Sequence, residues 1–146
     1  MPRGGLDPSR YGLKRLYWVK LAHPGDQRLN IIRNRHQDVT LLDIQGVIKL
    51  GESAREFSSY LEKVLNDETG PVLINFEGIN YMDSTGLGEL IGYLQKFEDR
   101  QRKMALLNPN HRILALLKIT KLDTVFKIFD SRDQALSFLT SKEASA

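Results

Sequence analysis

The residues best suited to chemistry in this chain fall in one run, Asp83-Ser84-Thr85-Gly86-Leu87-Gly88. Two hydroxyls follow a carboxylate and precede two glycines, a set that offers a nucleophile or a phosphate acceptor at an uncovered turn. A nucleophile elbow needs glycine two residues before and two after its serine, whereas Ser84 has Gly86 behind it and Met82 in front. A dinucleotide fingerprint begun at Gly86-x-Gly88 needs a third glycine where Ile91 stands, and no phosphate-loop lysine accompanies it. What remains is a protein-binding surface whose serine can take a phosphate. The plain structural alternative is a helix cap, because Ser, Thr and Asp oxygens accept the free N–H groups of a first helical turn.

Other reactive side chains are few. His23, His36 and His111 show no spacing that pairs them for a metal or ties them to Ser84. Asp43, Glu77 and Asp83 could serve as acid or base groups, but nothing in the sequence pairs them. With no cysteine, thiolate chemistry, disulfides and cysteine metal sites are excluded. Neither a catalytic residue, a metal nor a cofactor is expected.

Several elements must position the run. Before it, residues 72–76 are apolar and β-prone, fenced by Gly70-Pro71 and Gly78, and read as a buried strand. A bend is expected over residues 77–82. After the run, Leu87, Leu90, Ile91, Leu94 and Phe97 recur at the spacing of one helical stripe. Ser84 thus falls where a strand opens into a helix. Upstream, residues 29–35 and 39–45 flank His36-Gln37-Asp38 as a hairpin, and residues 47–50 form a short excursion between Gly46 and Gly51. Residues 52–65 then carry Ala54, Phe57, Leu61, Val64 and Leu65 on one helical face. Downstream follow a strand at 104–107, the turn Asn108-Pro109-Asn110, a helix at 113–119 and a strand at 125–129. Asp130-Ser131 caps a last helix with Ala135, Leu136, Phe138 and Leu139. Strands alternating with helices predict parallel pairing after the hairpin, hence an α/β fold with a mixed sheet and about four helices.

The segments NFEGINYMDSTGLGEL and LLNPNHRILALLKITKLDTVFKIFDSRDQAL, taken together, resemble the STAS domain of anti-anti-sigma factors. The likeness spans roughly residues 28–140. It implies that Ser84 is a phosphoacceptor, that Asp83 helps present it, and that Thr85, Gly86, Leu87 and Gly88 form the docking surface for a serine-kinase anti-sigma factor. It also implies a serine phosphatase that reverses the modification. The protein would be an anti-sigma factor antagonist that holds the kinase when Ser84 is free and releases it when Ser84 is phosphorylated. The alternative within the family is a STAS regulatory or scaffold subunit of a transporter or a larger signalling complex. A monomer or weak dimer is expected.

At 146 residues, with 41% apolar and 27% charged side chains, the chain suits one domain with a single core. The net charge of +3 is uneven: residues 1–36 hold eight Lys and Arg against Asp7 and Asp26, so residues 37–146 are mildly acidic. No nucleic-acid motif accompanies that basic excess, and direct nucleic-acid binding is not expected. Residues 1–27, broken by Gly4-Gly5, Pro8 and His23-Pro24-Gly25, form a basic extension expected to be loosely ordered. Within it, residues 10–22 place Leu13, Leu16, Tyr17 and Trp18 among basic residues. That stretch could form a basic amphipathic helix that touches a membrane or a partner, or be a partly disordered tail or one that lies over an exposed sheet edge. Its apolar patch is too short for a signal segment, no stretch approaches a membrane span, and a cytoplasmic protein is expected. Residues 141–146 read as a C-terminal tail.

Overall fold

The computed structural model describes residues 29–141. The basic extension, with His23, and the tail over residues 142–146 lie outside the described residues. Five strands form one sheet in chain order: β1 (Asn30–His36), β2 (Val39–Ile48), β3 (Val72–Met82), β4 (Met104–Leu107) and β5 (Lys127–Phe129). β1 and β2 pair antiparallel, and the remaining pairs are parallel. The helices are α1 (Glu52–Asp67), α2 (Ser84–Asp99), α3 (His111–Ile119) and α4 (Arg132–Thr140), with a 3₁₀ turn at Leu122–Thr124. The mixed α/β architecture with four helices is the one expected from sequence.

Strand order explains where the helices lie. Each parallel strand sits beside its predecessor on the same side, so crossovers of one hand deliver every connecting helix to one face. α1, α2 and α3 accordingly share a core with the sheet, in which Leu42, Ile44, Ile74 and Phe76 meet Phe57, Leu61, Leu90, Leu94, Phe97, Ile113 and Leu117. The opposite face belongs to α4, whose Ala135 and Leu139 cover Val39, Leu41, Leu73, Ala105 and Leu107. Neighbours such as Leu41 and Leu42, or Leu73 and Ile74, divide between the two cores because successive strand residues point to opposite faces. Phe57, Phe76 and Phe97 are wholly buried. Burying a side chain of this size is worth about 1.5–3 kcal/mol.

The structure corrects the sequence reading at five places. Residues 77–82 are no bend but the second half of β3, and residues 47–48 continue β2 rather than leaving it. The two strands stay paired past the glycines through register shifts between Asp43 and Gln45 and between Gly46 and Val47, with Gly46 at φ 125. That pairing buries Ile79 and Met82, which outweighs the poor strand propensity of Glu77-Gly78. His36 closes β1 opposite Val39, leaving Gln37 and Asp38 as the turn. The last strand begins at Lys127, because Leu122–Thr124 winds into a 3₁₀ turn that buries Phe126 and leaves Val125 exposed. On α2, Tyr93 is buried where Ile91 was expected and Ile91 is only partly covered; the Tyr93 hydroxyl donates to Glu62 Oε1 of α1 at 2.8 Å.

Candidate functional site

β2 and β3 end side by side, with Ile48 paired to Met82. From there β2 turns through Lys49-Leu50-Gly51 into α1, and β3 passes through Asp83 into α2. Asp83 ties the two exits together. Its N–H donates to the Ile48 carbonyl at 3.1 Å. Its Oδ1 accepts the Gly86 N–H at 3.0 Å, and its Oδ2 accepts the Leu50 N–H at 2.9 Å. The Lys49-Leu50-Gly51 loop is braced from its other side, where Ser53 Oγ accepts the Lys49 N–H at 3.0 Å and the Lys49 carbonyl accepts the Ala54 N–H at 3.1 Å. A short connection with no side-chain cap of its own is thereby fixed in place.

The Asp83 carboxylate is the N-cap of α2, which frees Ser84 from that task. Ser84 is the first residue of the helix and is exposed. Partial burial pushes the Asp83 carboxyl up, but the N–H groups of Gly86, Leu50 and Thr85 outweigh it and hold the group below its ordinary value. The cap is therefore a carboxylate at neutral pH, and the start of α2 carries one negative charge beside the Ser84 hydroxyl. The dipole and the free N–H groups of the first turn favour such charge.

The six residues of the run divide by direction. Ser84 and Gly88 are exposed, Asp83 and Thr85 are half-buried, and Gly86 and Leu87 face inward. Gly86 has a packing reason to lack a side chain: a Cβ there would lie 2.7 Å from Ile48 Cγ2, 2.9 Å from the Ile48 carbonyl oxygen and 3.0 Å from Met82 Cγ. The helix start is seated directly on the strand ends. Gly88 and, one turn on, Gly92 have nothing within 4 Å of the same position. Their lack of bulk serves no packing within the described residues and leaves the outer face of α2 bare.

Two exposed apolar residues that the sequence did not single out lie close to this run. Leu50 is 75% exposed on the loop that Asp83 holds, and Tyr81 is 44% exposed two residues before Asp83. Leu50, whose N–H Asp83 holds, is thus a large apolar side chain exposed beside the bare helix start. The only sequence signal was an apolar residue against Gly51, which a turn to the interior would have explained equally well.

The other candidate groups are occupied elsewhere or stand apart. Asp43 accepts from Asn75 Nδ2 at 2.8 Å and pairs with Arg132 at 3.7 Å. Glu77 is exposed on β3, His36 ends β1 and His111 opens α3. Among the described residues no three His, Asp or Glu gather into a metal-binding group, and no helix is long and apolar enough to cross a membrane.

Comparison with known proteins places these features in a wider set. The family model described as the STAS domain matches residues 30–135. The anti-sigma-B factor antagonist of Staphylococcus aureus is 32% identical over 73 residues, covering 50% of this chain and 68% of that protein. Among solved structures, an anti-sigma factor antagonist from Mycobacterium paratuberculosis superposes with a TM-score of 0.66 at 18% identity, over 80% of this chain and 98% of the other. The Bacillus cell fate determinant SpoIIAA in its phosphorylated form superposes with a TM-score of 0.59 at 15% identity, over 74% and 97%. At these identities the superpositions speak to the fold.

Proposed function

The chain belongs to the STAS domain family, and from that premise we propose that it is an anti-sigma factor antagonist switched by phosphorylation of Ser84. The unmodified protein binds a serine-kinase anti-sigma factor through the start of α2, and the kinase transfers the γ-phosphoryl group of ATP to Ser84 Oγ, releasing ADP. A serine phosphatase restores the hydroxyl. The nucleotide site and the catalytic groups belong to the partner, so this chain is substrate and antagonist rather than enzyme. Both proteins act in the cytoplasm, and residues 28–140 form the binding domain.

The observation that carries this reading is the division of labour between Asp83 and Ser84. Because the neighbouring carboxylate makes the cap, the serine hydroxyl can be esterified without removing the bonds that hold the helix start. A phosphate would bring roughly −1.5 to −2 charges to a helix N-terminus, which the fold accommodates. A partner packed on Leu50, Tyr81, Thr85 and the bare surface at Gly88 would instead meet a dianion in a desolvated interface. Free Ser84 means bound, and phosphorylated Ser84 means released.

The test is capture of partners from native lysate, followed by titration of the unmodified and phosphorylated chain against the captured kinase. Mass spectrometry then locates the phosphate. Equal affinity for both forms, or phosphate on Thr85 or Ser131 with none on Ser84, would sink the proposal.

A further inference from the structure

Four arginines converge at the end of the domain away from Ser84, where β2, β3 and β4 begin. Arg33 and Arg35 come from the second half of β1, and Arg100 and Arg102 from the turn that follows α2. Arg102 is firmly held. Its backbone N–H donates to the Phe97 carbonyl at 2.8 Å, and its Cζ lies 4.6 Å from the centre of the Phe97 ring. Its Nε donates to the Gly70 carbonyl at 2.7 Å and its Nη1 to the Leu65 carbonyl at 3.0 Å. Arg100 Nη1 donates to the same Leu65 oxygen at 3.0 Å, so two guanidinium groups share one acceptor. Arg35 Nη1 reaches Thr40 Oγ1 at 2.8 Å and Glu68 Oε1 at 3.0 Å, and Arg33 Nη1 lies 3.7 Å from the other Glu68 oxygen.

Part of this arrangement has a plain use. The last carbonyls of α1 lack helical partners, and cations suit a helix C-terminus. That use leaves a remainder. Among the described residues only Glu68 stands within salt-bridge distance of any of the four arginines, and Asp38, which flanks Gly70, makes no such pair. Arg102 is 8% exposed, and its Nη2 is buried without a hydrogen-bond partner. The other buried side-chain atom in that state among the described residues is Nη1 of Arg33, so both belong to this one cluster. Buried polar groups are almost always partnered, and a guanidinium cannot escape by losing its proton. Burial lowers the Arg102 pKa, the like charges of Arg100 and Arg35 add to this, and Glu68 opposes it.

We infer that this cluster is an oxyanion site for a phosphoryl group, held by Arg35 and Arg100 at the surface with Arg102 behind them. Arg35 and Arg100 are exposed, and each has guanidinium nitrogens besides the Nη1 bonded above. A phosphoryl group brings roughly −1.5 to −2 charges and three acceptor oxygens, and guanidinium forks bind it through paired bonds. It would supply both the acceptor that Arg102 Nη2 lacks and the charge that Glu68 alone does not balance. A carboxylate, with one charge and two oxygens, meets less of that need. All 11 residues of β3 separate this site from the start of α2, so the inference holds whether or not Ser84 is modified.

The test is titration of the full-length chain with inorganic phosphate and, separately, with ADP, at an ionic strength held constant with sodium chloride and followed by proton–nitrogen NMR. Phosphate should shift the Arg102 Nε–H resonance and the amides around Gly70 and Arg100 saturably, leaving those of residues 84–88 in place. Arg35→Gln and Arg100→Gln, both at exposed positions, should keep the folded spectrum and each weaken binding by about tenfold or more. Arg102→Gln is the poorer probe, because it removes bonds to Leu65 and Gly70 that hold the fold. Tighter binding of ADP than of phosphate assigns the phosphoryl group to a nucleotide, and the reverse assigns the free ion. Shifts that sodium chloride alone reproduces, that never saturate, or that survive in the double variant of Arg35 and Arg100 overturn the proposal. So do shifts confined to the start of α2.

Discussion

The Oδ2 of Asp83 accepts the N–H of Leu50 at 2.9 Å, so one carboxylate at the start of α2 also fixes an exposed leucine on the loop leading into α1. Stability and partner binding should thus both depend on Asp83. Asp83→Ala removes the acceptor of two backbone donors and should destabilise the fold by about 1–2 kcal/mol in urea denaturation. Asp83→Asn keeps one acceptor oxygen and should cost less. The carboxyl is held below its ordinary value near 3.8, so its contribution is fully present above that value and is lost as pH falls through the lower, folded-state one. The stability gap between wild type and Asp83→Asn should accordingly be flat near neutrality and close in acid; a gap that widens there contradicts the assignment.

Phosphorylation of Ser84 should weaken binding to the anti-sigma kinase by roughly a hundredfold or more, since each 1.4 kcal/mol of like-charge and desolvation cost is about tenfold. Ser84→Ala should bind like the unmodified chain and refuse phosphate. With Asp83 as the cap, its loss of stability should stay within about 0.5 kcal/mol. Ser84→Asp, with less charge and bulk, should fall between. Isothermal titration of the four forms measures the order.

Gly86 and Gly88 should respond in opposite senses. Gly86→Ala drives a methyl into Ile48, including its backbone oxygen, and should destabilise by about 1–3 kcal/mol. Gly88→Ala meets open space and should stabilise α2 by up to about 1 kcal/mol through helix propensity. It should nevertheless weaken kinase binding, because it places a side chain on the bare face. Thermal melts combined with the same titration would separate the two effects, and a Gly88→Ala variant that is both steadier and fully competent would remove that face from the docking surface.

A chain beginning near Gln27 should keep a cooperative thermal transition, because both cores are assembled from residues 39–139. Insoluble or molten material would show instead that the extension is part of the folding unit.

How much of this was legible in advance depends on whether a local pattern or a tertiary pairing decides each element. The stripe from Leu87 to Phe97 declares α2, since its period is intrinsic to the sequence. The far half of β3 does not declare itself. Glu77-Gly78 reads as a break, and only the bulged partner strand, with Gly46 taking φ 125, reveals that pairing continues. Site residues follow the same rule. Ser84 stands out by type, but nothing local says that Asp83 rather than Ser84 caps the helix, or that Gly86 faces Ile48 while Gly88 faces outward. Leu50 and Tyr81 gain meaning only from exposure, which is a property of the assembled surface.

The unequal lengths of the strands have a consequence for what this site can be. β4 pairs with β3 only as far as Asn75, and the seven residues from Phe76 to Met82 carry β3 onward with β2 alongside, about 20 Å beyond that point. Ser84 therefore stands past the end of the longest strand pair, exposed at the start of α2, with the far half of β3 beneath it held to the core by Ile79 and Met82. Chemistry that must exclude water is served by a concave enclosure. An exposed helix start is instead open to a partner, and any enclosure in which its hydroxyl is to react has to be supplied by whatever closes around it.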